Sequence, residues 1–399
     1  MHRRIRTSIF FLFFTIFIIG APMIVLYTAG YRLNVNTWRI QRTGVIAIST
    51  IPRGATVTIN TAPTTNKTPY VAQRLTPGEY TVLLEKSGYQ PWNQSITVNS
   101  GSTTYLTALL FAQATPELLL EEQAVSVTGD NSGRFIYLLV DRSLAEGGGR
   151  SVWRYDTVTR LQRKLADDVG NAITHITLNN DESTLLLTTD DNTQNTLAIN
   201  TDTGITLNEI EAANAKNALP EYSFFDNGSN VEMRLVDTNT LVSLLPPSTY
   251  TVMFRNTTIA LIKDGRDRGY LIDLNTQSVT QIDLPTALLS QSPSENLLAA
   301  SDGNEIDVYN PQTGERTLIT RQSDPILALH WHASNRALIF ATSTKILAIE
   351  REKYETRETT TLVSDATIVN VWPEANSKNL TFFGTVHGIT GIWKLALAQ

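Results

Sequence analysis

The run Phe-Ile-Tyr-Leu-Leu-Val at residues 135–140 is the first of a series of short apolar segments that recur through the rest of the chain. Comparable runs begin near Leu185, Ile259, Leu297, Leu338 and Leu380. The last four starts are about 40 residues apart, and the gap from Leu185 to Ile259 is nearly two such periods. A constant spacing of this kind indicates an internal structural repeat.

Each repeat has the pattern of several short strands. After a polar turn, most of the apolar runs are followed by a second strand-like stretch, as at 151–156, 196–200, 269–273 and 305–309. A repeat of about 40 residues with four short strands is typical of one blade of a β-propeller. One such sheet cannot bury both faces alone, so blades must pack against one another. We therefore predict an all-β fold in which residues 125–399 form a β-propeller.

The repeat region divides into about seven blades, with six or eight as alternatives. Predicted limits are 125–167, 172–210, 211–247, 248–286, 287–322, 323–364 and 365–399. The third interval fits worst, since residues 220–246 show only three clear strands. Turns such as Asn131-Ser132-Gly133 and Ser292-Pro293-Ser294 resemble the Ser-Pro-Asp-Gly pattern of WD40-like and TolB-type propellers. That resemblance implies a superfold, which hosts many unrelated functions.

Composition narrows the classes of function. Only 18% of the 399 residues are charged, and the net charge of −6 disfavours a nucleic-acid-binding surface. The chain has no cysteine, which excludes disulfides and thiolate-metal sites. We therefore predict no nucleic-acid partner and no cofactor.

The N-terminal segment predicts a membrane anchor. Arg3, Arg4 and Arg6 precede an uncharged apolar stretch from about Ile9 to Tyr27, and about 20 such residues can cross a bilayer as a helix. We predict a cytoplasmic tail at 1–7, a transmembrane anchor at 8–28 and a linker at 29–43. A cleaved signal peptide is the alternative. The simpler arrangement leaves the basic tail in the cytoplasm and the bulk of the chain extracytoplasmic.

Residues 44–112 carry a second pattern, made of strand-like stretches and turn motifs. In order, the motifs are Pro52-Arg53-Gly54-Ala55, Thr68-Pro69, Leu75-Thr76-Pro77-Gly78-Glu79-Tyr80 and Lys86-Ser87-Gly88-Tyr89. This region resembles a PEGA domain, with Arg53 in place of the acidic residue of the name. The resemblance implies a small β-sandwich of a bacterial cell-envelope protein, and residues 113–124 would then be a linker to the propeller.

Three aromatic residues of this region are candidate ligand contacts. Tyr70, Tyr89 and Trp92 could form a platform for a glycan or peptidoglycan. The alternative is core or rim packing, in which Tyr80, Tyr89 and Trp92 cap the small core with their rings and leave their polar atoms in water.

Candidate catalytic and metal-binding chemistry is sparse. His330 and His332 flank Trp331, and the period of two in a strand would place both imidazoles on one face, where they could chelate zinc or copper. A third ligand is not identifiable, so the alternative is two ordinary strand residues near a channel mouth. Residues 190–192 (Asp-Asp-Asn) resemble the start of a calcium loop but are interpreted as a hairpin tip. We predict no catalytic, cofactor or metal residues.

Together these features predict a single-pass membrane protein whose extracytoplasmic propeller acts as a binding or scaffold module and not as an enzyme. Its partners would be the membrane, through the N-terminal helix, and a protein or cell-wall component. Two alternatives remain: a propeller enzyme acting on cell-envelope glycans, and a regulatory propeller of a membrane complex.

Overall fold

The computed structural model describes residues 2–34, 39–142, 148–179, 182–189, 197–206, 222–235, 238–255, 258–266, 268–284 and 287–398. The chain forms two compact units. The first comprises Met1–Gln113 together with Glu352–Glu358, and the second comprises Ala114–Arg351 together with Thr359–Gln399.

The N-terminal helix α1 (His2–Thr28) contains the predicted anchor. Its window Ile9–Thr28 is 20 residues long and has a mean hydropathy of 2.7, and none of its residues is buried in the protein. Phe10 and Phe17, for example, are 65% and 69% exposed. A helix of this length and apolarity is suited to the hydrocarbon core of a membrane, and a signal sequence has the same properties.

A short strand pair follows the helix. Strands β1 (Tyr31–Asn34) and β2 (Arg39–Arg42) pair antiparallel, with Tyr31 opposite Arg42. The prediction of 29–43 as a linker is therefore wrong for these two strands, whose four-residue lengths left little periodicity to detect. The guanidinium of Arg32 lies 3.6 Å from the ring centroid of Tyr27 and ties the pair to the end of α1.

The rest of the first unit is a β-sandwich of two sheets. Its strands are β3 (Gly44–Ile51), β4 (Thr56–Ile59), β5 (Ala62–Lys67), β6 (Tyr70–Leu75), β7 (Gly78–Glu85), β8 (Trp92–Val98) and β9 (Thr103–Leu109). One sheet has the order β6-β3-β9, with β3 and β9 parallel, and the other has the order β5-β4-β7-β8. Gly54 and Gly88 occupy the predicted turns with φ of 92° and 80°, which a side chain would resist.

The sandwich buries one face of each sheet. Along β3 and β8 buried residues alternate with more exposed ones, as expected where only one face of a strand is covered. The inner faces of both sheets contribute to a single core, whose members include Ile46, Leu84, Trp92 and Leu106. The alternation of buried and exposed residues therefore gives two packed sheets with one hydrophobic core between them.

The second unit consists of seven successive antiparallel sheets in the residues described. The first three comprise β11 (Ser126–Gly129), β12 (Phe135–Asp141), β13 (Arg150–Asp156) and β14 (Gln162–Ala166); β15 (His175–Leu178), β16 (Thr184–Thr188) and β17 (Leu197–Asn200); and β18 (Tyr222–Asp226), β19 (Val231–Leu235) and β20 (Leu241–Leu245). Residues 207–221, part of the predicted second and third blades, lie outside the described residues.

The remaining four sheets have four strands each. They comprise β21 (Tyr250–Arg255), β22 (Ile259–Asp264), β23 (Gly269–Asp273) and β24 (Val279–Ile282); β25 (Leu288–Gln291), β26 (Leu298–Ser301), β27 (Glu305–Tyr309) and β28 (Arg316–Arg321); β29 (Ile326–Trp331), β30 (Ala337–Thr342), β31 (Ile346–Glu350) and β32 (Thr359–Val363); and β33 (Ala366–Pro373), β34 (Asn379–Val386) and β35 (Ile389–Ala396) with β10 (Glu117–Glu121).

The packing of these sheets is that of a β-propeller. Apart from β10 in the last sheet, the strands of each sheet follow chain order, and first strands contact each other between several neighbouring sheets, as β11 contacts β15, β25 contacts β29 and β29 contacts β33. The last sheet also meets the first, since β33 contacts β11. Hydrophobic clusters lie between successive sheets. Radial packing of four-stranded meanders is the arrangement that the 40-residue repeat predicted.

The ring is closed by a strand that the sequence analysis placed in a linker. Strand β10 pairs antiparallel with β35, with Glu117 opposite Lys394, and so supplies the fourth strand of the last sheet. The prediction of 113–124 as a linker is therefore wrong for Glu117–Glu121. The reason is that β10 pairs with a strand at the far end of the sequence, and local periodicity does not predict pairing between distant strands.

Candidate functional site

A cavity of about 630 Å³ lies at one end of the propeller. It is lined by residues at the carboxyl ends of first strands and in the turns after them: Asn131, Met253, Arg255, Leu289, Ser290, Gln291, Pro293, His330, Trp331, Ala333, Pro373, Glu374, Ala375 and Ser377. In a β-propeller the first strand of each blade lies next to the central channel. The carboxyl ends of these strands therefore meet at one mouth of that channel. We call this cavity the mouth cavity.

The rim of the mouth cavity is held by hydrogen bonds between neighbouring sheets. The indole nitrogen of Trp331 donates to the carbonyl oxygen of Ser290 at 3.0 Å, and the backbone nitrogen of Ala333 donates to the Ser377 hydroxyl at 2.8 Å. Each bond joins turns or strand ends of different sheets. The mouth is thus a preformed structure, as ligand-binding cavities usually are.

Glu374 is the carboxylate among the described residues of the cavity wall. Its two oxygens accept from Lys394 at 2.9 Å and from the side-chain amide of Asn379 at 2.8 Å. These partners hold the carboxylate against the last sheet. In this arrangement it contributes a fixed negative charge and an acceptor to the rim.

His330 contributes a neutral imidazole to the cavity wall. Burial lowers the pKa of His330 from 6.5 to about 4, although a hydrogen bond with the backbone of Val371 acts in the opposite direction. At neutral pH the ring therefore carries no charge. It shares the cavity wall with Trp331 and Met253.

His332 does not share the role of His330. It follows the end of β29, and its Nδ1 accepts from the backbone nitrogen of Ser334 at 3.1 Å and lies 2.8 Å from the Ser334 hydroxyl. Burial also lowers its pKa to about 4. The strand ends at Trp331, and in the turn after it Ser334 occupies Nδ1 of His332, whereas His330 lines the cavity.

Several wall residues were missed by the sequence analysis. Arg255, whose guanidinium lies 5.5 Å from the ring centroid of Tyr222, ends β21, and Gln291 ends β25. Asn131 and Glu374 lie within two residues of the ends of the equivalent strands of two other blades. An alignment of the repeats on their first strands would have found all four, since each occupies nearly the same place in its blade.

The three aromatic candidates of the first unit do not form an exposed platform. Trp92 and Tyr89 are 2% and 6% exposed and belong to the sandwich core, and the half-buried Tyr70 packs against it. The indole nitrogen of Trp92 is buried and has no hydrogen-bond partner among the described residues. The expectation that its polar atom stays in water is therefore wrong, and packing decides the position of these rings.

The other candidates add no metal site to the part of the chain that the structure describes. No group of three His, Cys, Asp or Glu side chains there could hold an ion. Residues 190–192, interpreted as a hairpin tip, lie outside the described residues.

The geometry defines an all-β protein with an N-terminal apolar helix, a β-sandwich and a β-propeller. Residues 43–112 match the PEGA domain family, so the sandwich is a PEGA domain. The chain therefore carries a PEGA domain, followed in the sequence by a β-propeller. The comparison with curated protein sequences gave no significant match.

Two solved structures illustrate the fold similarity. A chain of the mitotic checkpoint complex is 9% identical with a TM-score of 0.45, covering 71% of this chain and 94% of its own length. An oligogalacturonate lyase in complex with manganese is 11% identical with a TM-score of 0.43, covering 72% and 94%. Similarities this weak carry no argument about activity, and the propeller architecture rests on the strand pairing described above.

Proposed function

We propose that this protein is a membrane-anchored extracytoplasmic binding or scaffold protein, and that the mouth cavity of its propeller receives a protein or cell-envelope partner. The mouth cavity carries the proposal. It combines a preformed volume of about 630 Å³ with an aromatic residue, a neutral imidazole, an arginine and amide groups. A concave surface with a few convergent polar groups is the usual form of a binding site.

The chemistry of the wall favours binding over catalysis. Glycoside cleavage generally uses two carboxyl groups that flank the scissile bond, whereas Glu374 is the one carboxylate among the described wall residues and is held by Lys394 and Asn379. The first alternative, an enzyme acting on envelope glycans, predicts turnover of a glycan substrate. The second, a regulatory propeller of a membrane complex, predicts an associated membrane enzyme.

The topology is part of the same proposal. The helix α1 would act as an uncleaved anchor, with the basic residues at its N-terminal end in the cytoplasm and the PEGA domain and propeller outside. Protease added to intact spheroplasts should then degrade the propeller and leave only a small N-terminal fragment. Full protection of the propeller would reverse the orientation.

Site-specific photo-crosslinking tests the mouth cavity directly. A photoreactive residue at Gln291, in the cavity wall, should yield partner adducts in living cells. The same residue at Thr344, in the turn after β30 at the opposite end of its sheet, is the matched control and should yield none. Equal adducts at both positions, or none at Gln291, would contradict the assignment of the cavity as the binding site.

A further inference from the structure

The segment Glu352–Glu358 belongs to the first unit, although in the sequence it joins β31 to β32. Its sequence is Glu-Lys-Tyr-Glu-Thr-Arg-Glu, so five of its seven residues are charged. A segment of this composition has little tendency to fold by itself. Its position must therefore come from its contacts with the PEGA domain.

Tyr354 is the apolar anchor of the segment. Its ring packs against the core of the sandwich and meets Trp92 edge to face, with the ring centroids 6.1 Å apart. Its hydroxyl oxygen accepts a hydrogen bond from the backbone nitrogen of Thr107 at 3.2 Å. One aromatic side chain thus combines burial, a ring pair and a hydrogen bond to an edge strand.

Polar contacts fix the direction of the segment. Gln94, only 6% exposed, uses both ends of its carboxamide: Nε2 donates to Glu358 at 2.5 Å, and Oε1 accepts from the Thr356 hydroxyl at 2.8 Å. The hydroxyl of Thr97 donates to the carboxylate of Glu355. Since a buried amide without partners is costly, Gln94 specifies a ligand with groups at these positions.

These contacts fall along the seam between the two sheets. Strand β8 is the last strand of one sheet and β9 is the last strand of the other. Trp92, Gln94 and Thr97 belong to β8, and Thr107 belongs to β9. Open strand edges are common places for another segment to bind. We call this seam, with the four residues named here, the edge groove.

We propose that the edge groove is a docking site for an extended acidic peptide with a central tyrosine, and that Glu352–Glu358 is its displaceable occupant. The contacts described above involve side chains of both partners and the backbone nitrogen of Thr107. The segment also brings Arg357 and Glu358 into a partly desolvated position, which lowers the pKa of the first and raises that of the second. Partial burial of charged groups opposes docking, so the segment is held by a modest net free energy.

Limited proteolysis of the full-length protein in lipid nanodiscs tests the occupancy. Trypsin cleaves after Lys353 and Arg357, and a docked segment resists it because cleavage requires local release. Tyr354→Ala should increase cleavage there about tenfold or more, since the anchor is lost. Tyr354→Phe, which keeps the ring, should stay within about threefold of the unchanged protein. Equal cleavage of the Ala variant and the unchanged protein would overturn the proposal.

A labelled synthetic peptide with the sequence of residues 350–360 tests the groove itself. It should bind the Tyr354→Ala protein, whose groove is vacated, at least about tenfold more tightly than the unchanged protein. A peptide in which Tyr354 is replaced by Ala should not bind. Failure of the tyrosine peptide to bind the vacated groove would show that the segment is only a fixed part of the sandwich.

A second variant guards against a folding defect. Gln94→Ala alters the groove and leaves the segment intact, so it should increase cleavage in the same place without creating a binding site for the peptide. Circular dichroism of both variants should match that of the unchanged protein. Peptide binding to the Gln94→Ala protein as tight as to the Tyr354→Ala protein would contradict the assigned role of Gln94. Because the mouth cavity is unaltered, failure here leaves the function proposed for the propeller standing.

Discussion

The PEGA domain and the propeller bury their strands in different ways. In β8 of the sandwich, Ile96 is 1% exposed, while the adjacent Ser95 and Thr97 are more exposed. In β30 of the propeller, all six residues are buried, so that Ile339 and Phe340 on opposite faces are both 0% exposed. The difference reflects the number of neighbours, since a sandwich sheet packs on one face and a blade packs on two.

This difference governs how each region tolerates substitution. A sandwich strand keeps a face on which polar residues are acceptable, whereas a central blade strand has none. The propeller should therefore be sensitive at consecutive positions and the sandwich at alternate ones. The following experiments test that contrast, beginning with the largest expected effect.

Replacement of consecutive residues in β30 should have the largest effect. Phe340→Ala should lower the free energy of unfolding by about 3–5 kcal/mol, and Ile339→Ala by about 2–5 kcal/mol, because each leaves a cavity on a different face. Denaturant unfolding followed by circular dichroism gives both values. If either substitution costs less than about 1 kcal/mol, then one face of β30 is not covered as described.

Acid should affect the two units in opposite directions. The folded pKa values of His330 and His332 are lowered by burial, so protonation favours the unfolded state and stability falls as the pH falls from about 6.5 to 4. Each imidazole can contribute on the order of 3 kcal/mol. Burial raises the pKa of Glu358 in the first unit, so its protonation favours the docked segment as the pH falls.

Thermal unfolding across this pH range tests the sign. The double variant His330→Gln with His332→Gln should show a flatter loss of propeller stability between about pH 6.5 and 4 than the unchanged protein. The exposed His175→Gln is the control and should leave the slope unchanged. An unaltered slope in the double variant would contradict the burial of these imidazoles. Metal analysis of the same samples tests the expectation that no transition metal is bound.

A smaller effect is expected at the clasp formed by β10 and β35. A side chain at Gly391 would place its Cβ 2.0 Å from the carbonyl oxygen of Leu120, so Gly391→Ala must displace β10. A cost of about 1–3 kcal/mol is expected for overpacking of this kind. Hydrogen exchange at Leu118 and Leu120 should accelerate. Ile389→Ala, outside the β10 pairing, is the control and should leave this exchange unchanged.

The smallest effect is expected on the outer face of the sandwich. Tyr105 in β9 is 77% exposed, so Tyr105→Ser should change the free energy of unfolding by no more than about 0.5 kcal/mol. The neighbouring Leu106 is 0% exposed, and Leu106→Ala should cost about 2–5 kcal/mol. Similar costs at both positions would remove the contrast between alternate and consecutive burial.

Local sequence patterns predicted the parts of this fold that depend on local structure. The turn motifs around Gly54 and Gly88 identified the PEGA domain because they require particular backbone conformations. The apolar runs at 135–140 and after Leu338 predicted the propeller because central blade strands are buried on both faces. Each of these signals is contained within a few consecutive residues.

Features that depend on distant pairing were not predictable in this way. Strand β10 and the segment Glu352–Glu358 acquire their positions from partners more than 200 residues away. Trp92 illustrates the same limit, since its sequence neighbours suggest a rim position whereas Tyr354 helps to cover it. The mouth cavity likewise joins residues from five blades, and no single stretch of sequence contains its pattern.

The clasp between β10 and β35 also sets an order of events during synthesis. Glu117 leaves the ribosome about 280 residues before its partner Lys394, a delay of about 14–55 s at roughly 5–20 residues per second. Until β35 has been made, β10 lacks the strand with which it pairs and remains an unpaired edge. If the chain crosses a membrane as it is made, the ring can close only after its final strand has crossed. Until then, the nascent chain has an exposed strand that a chaperone would have to shield.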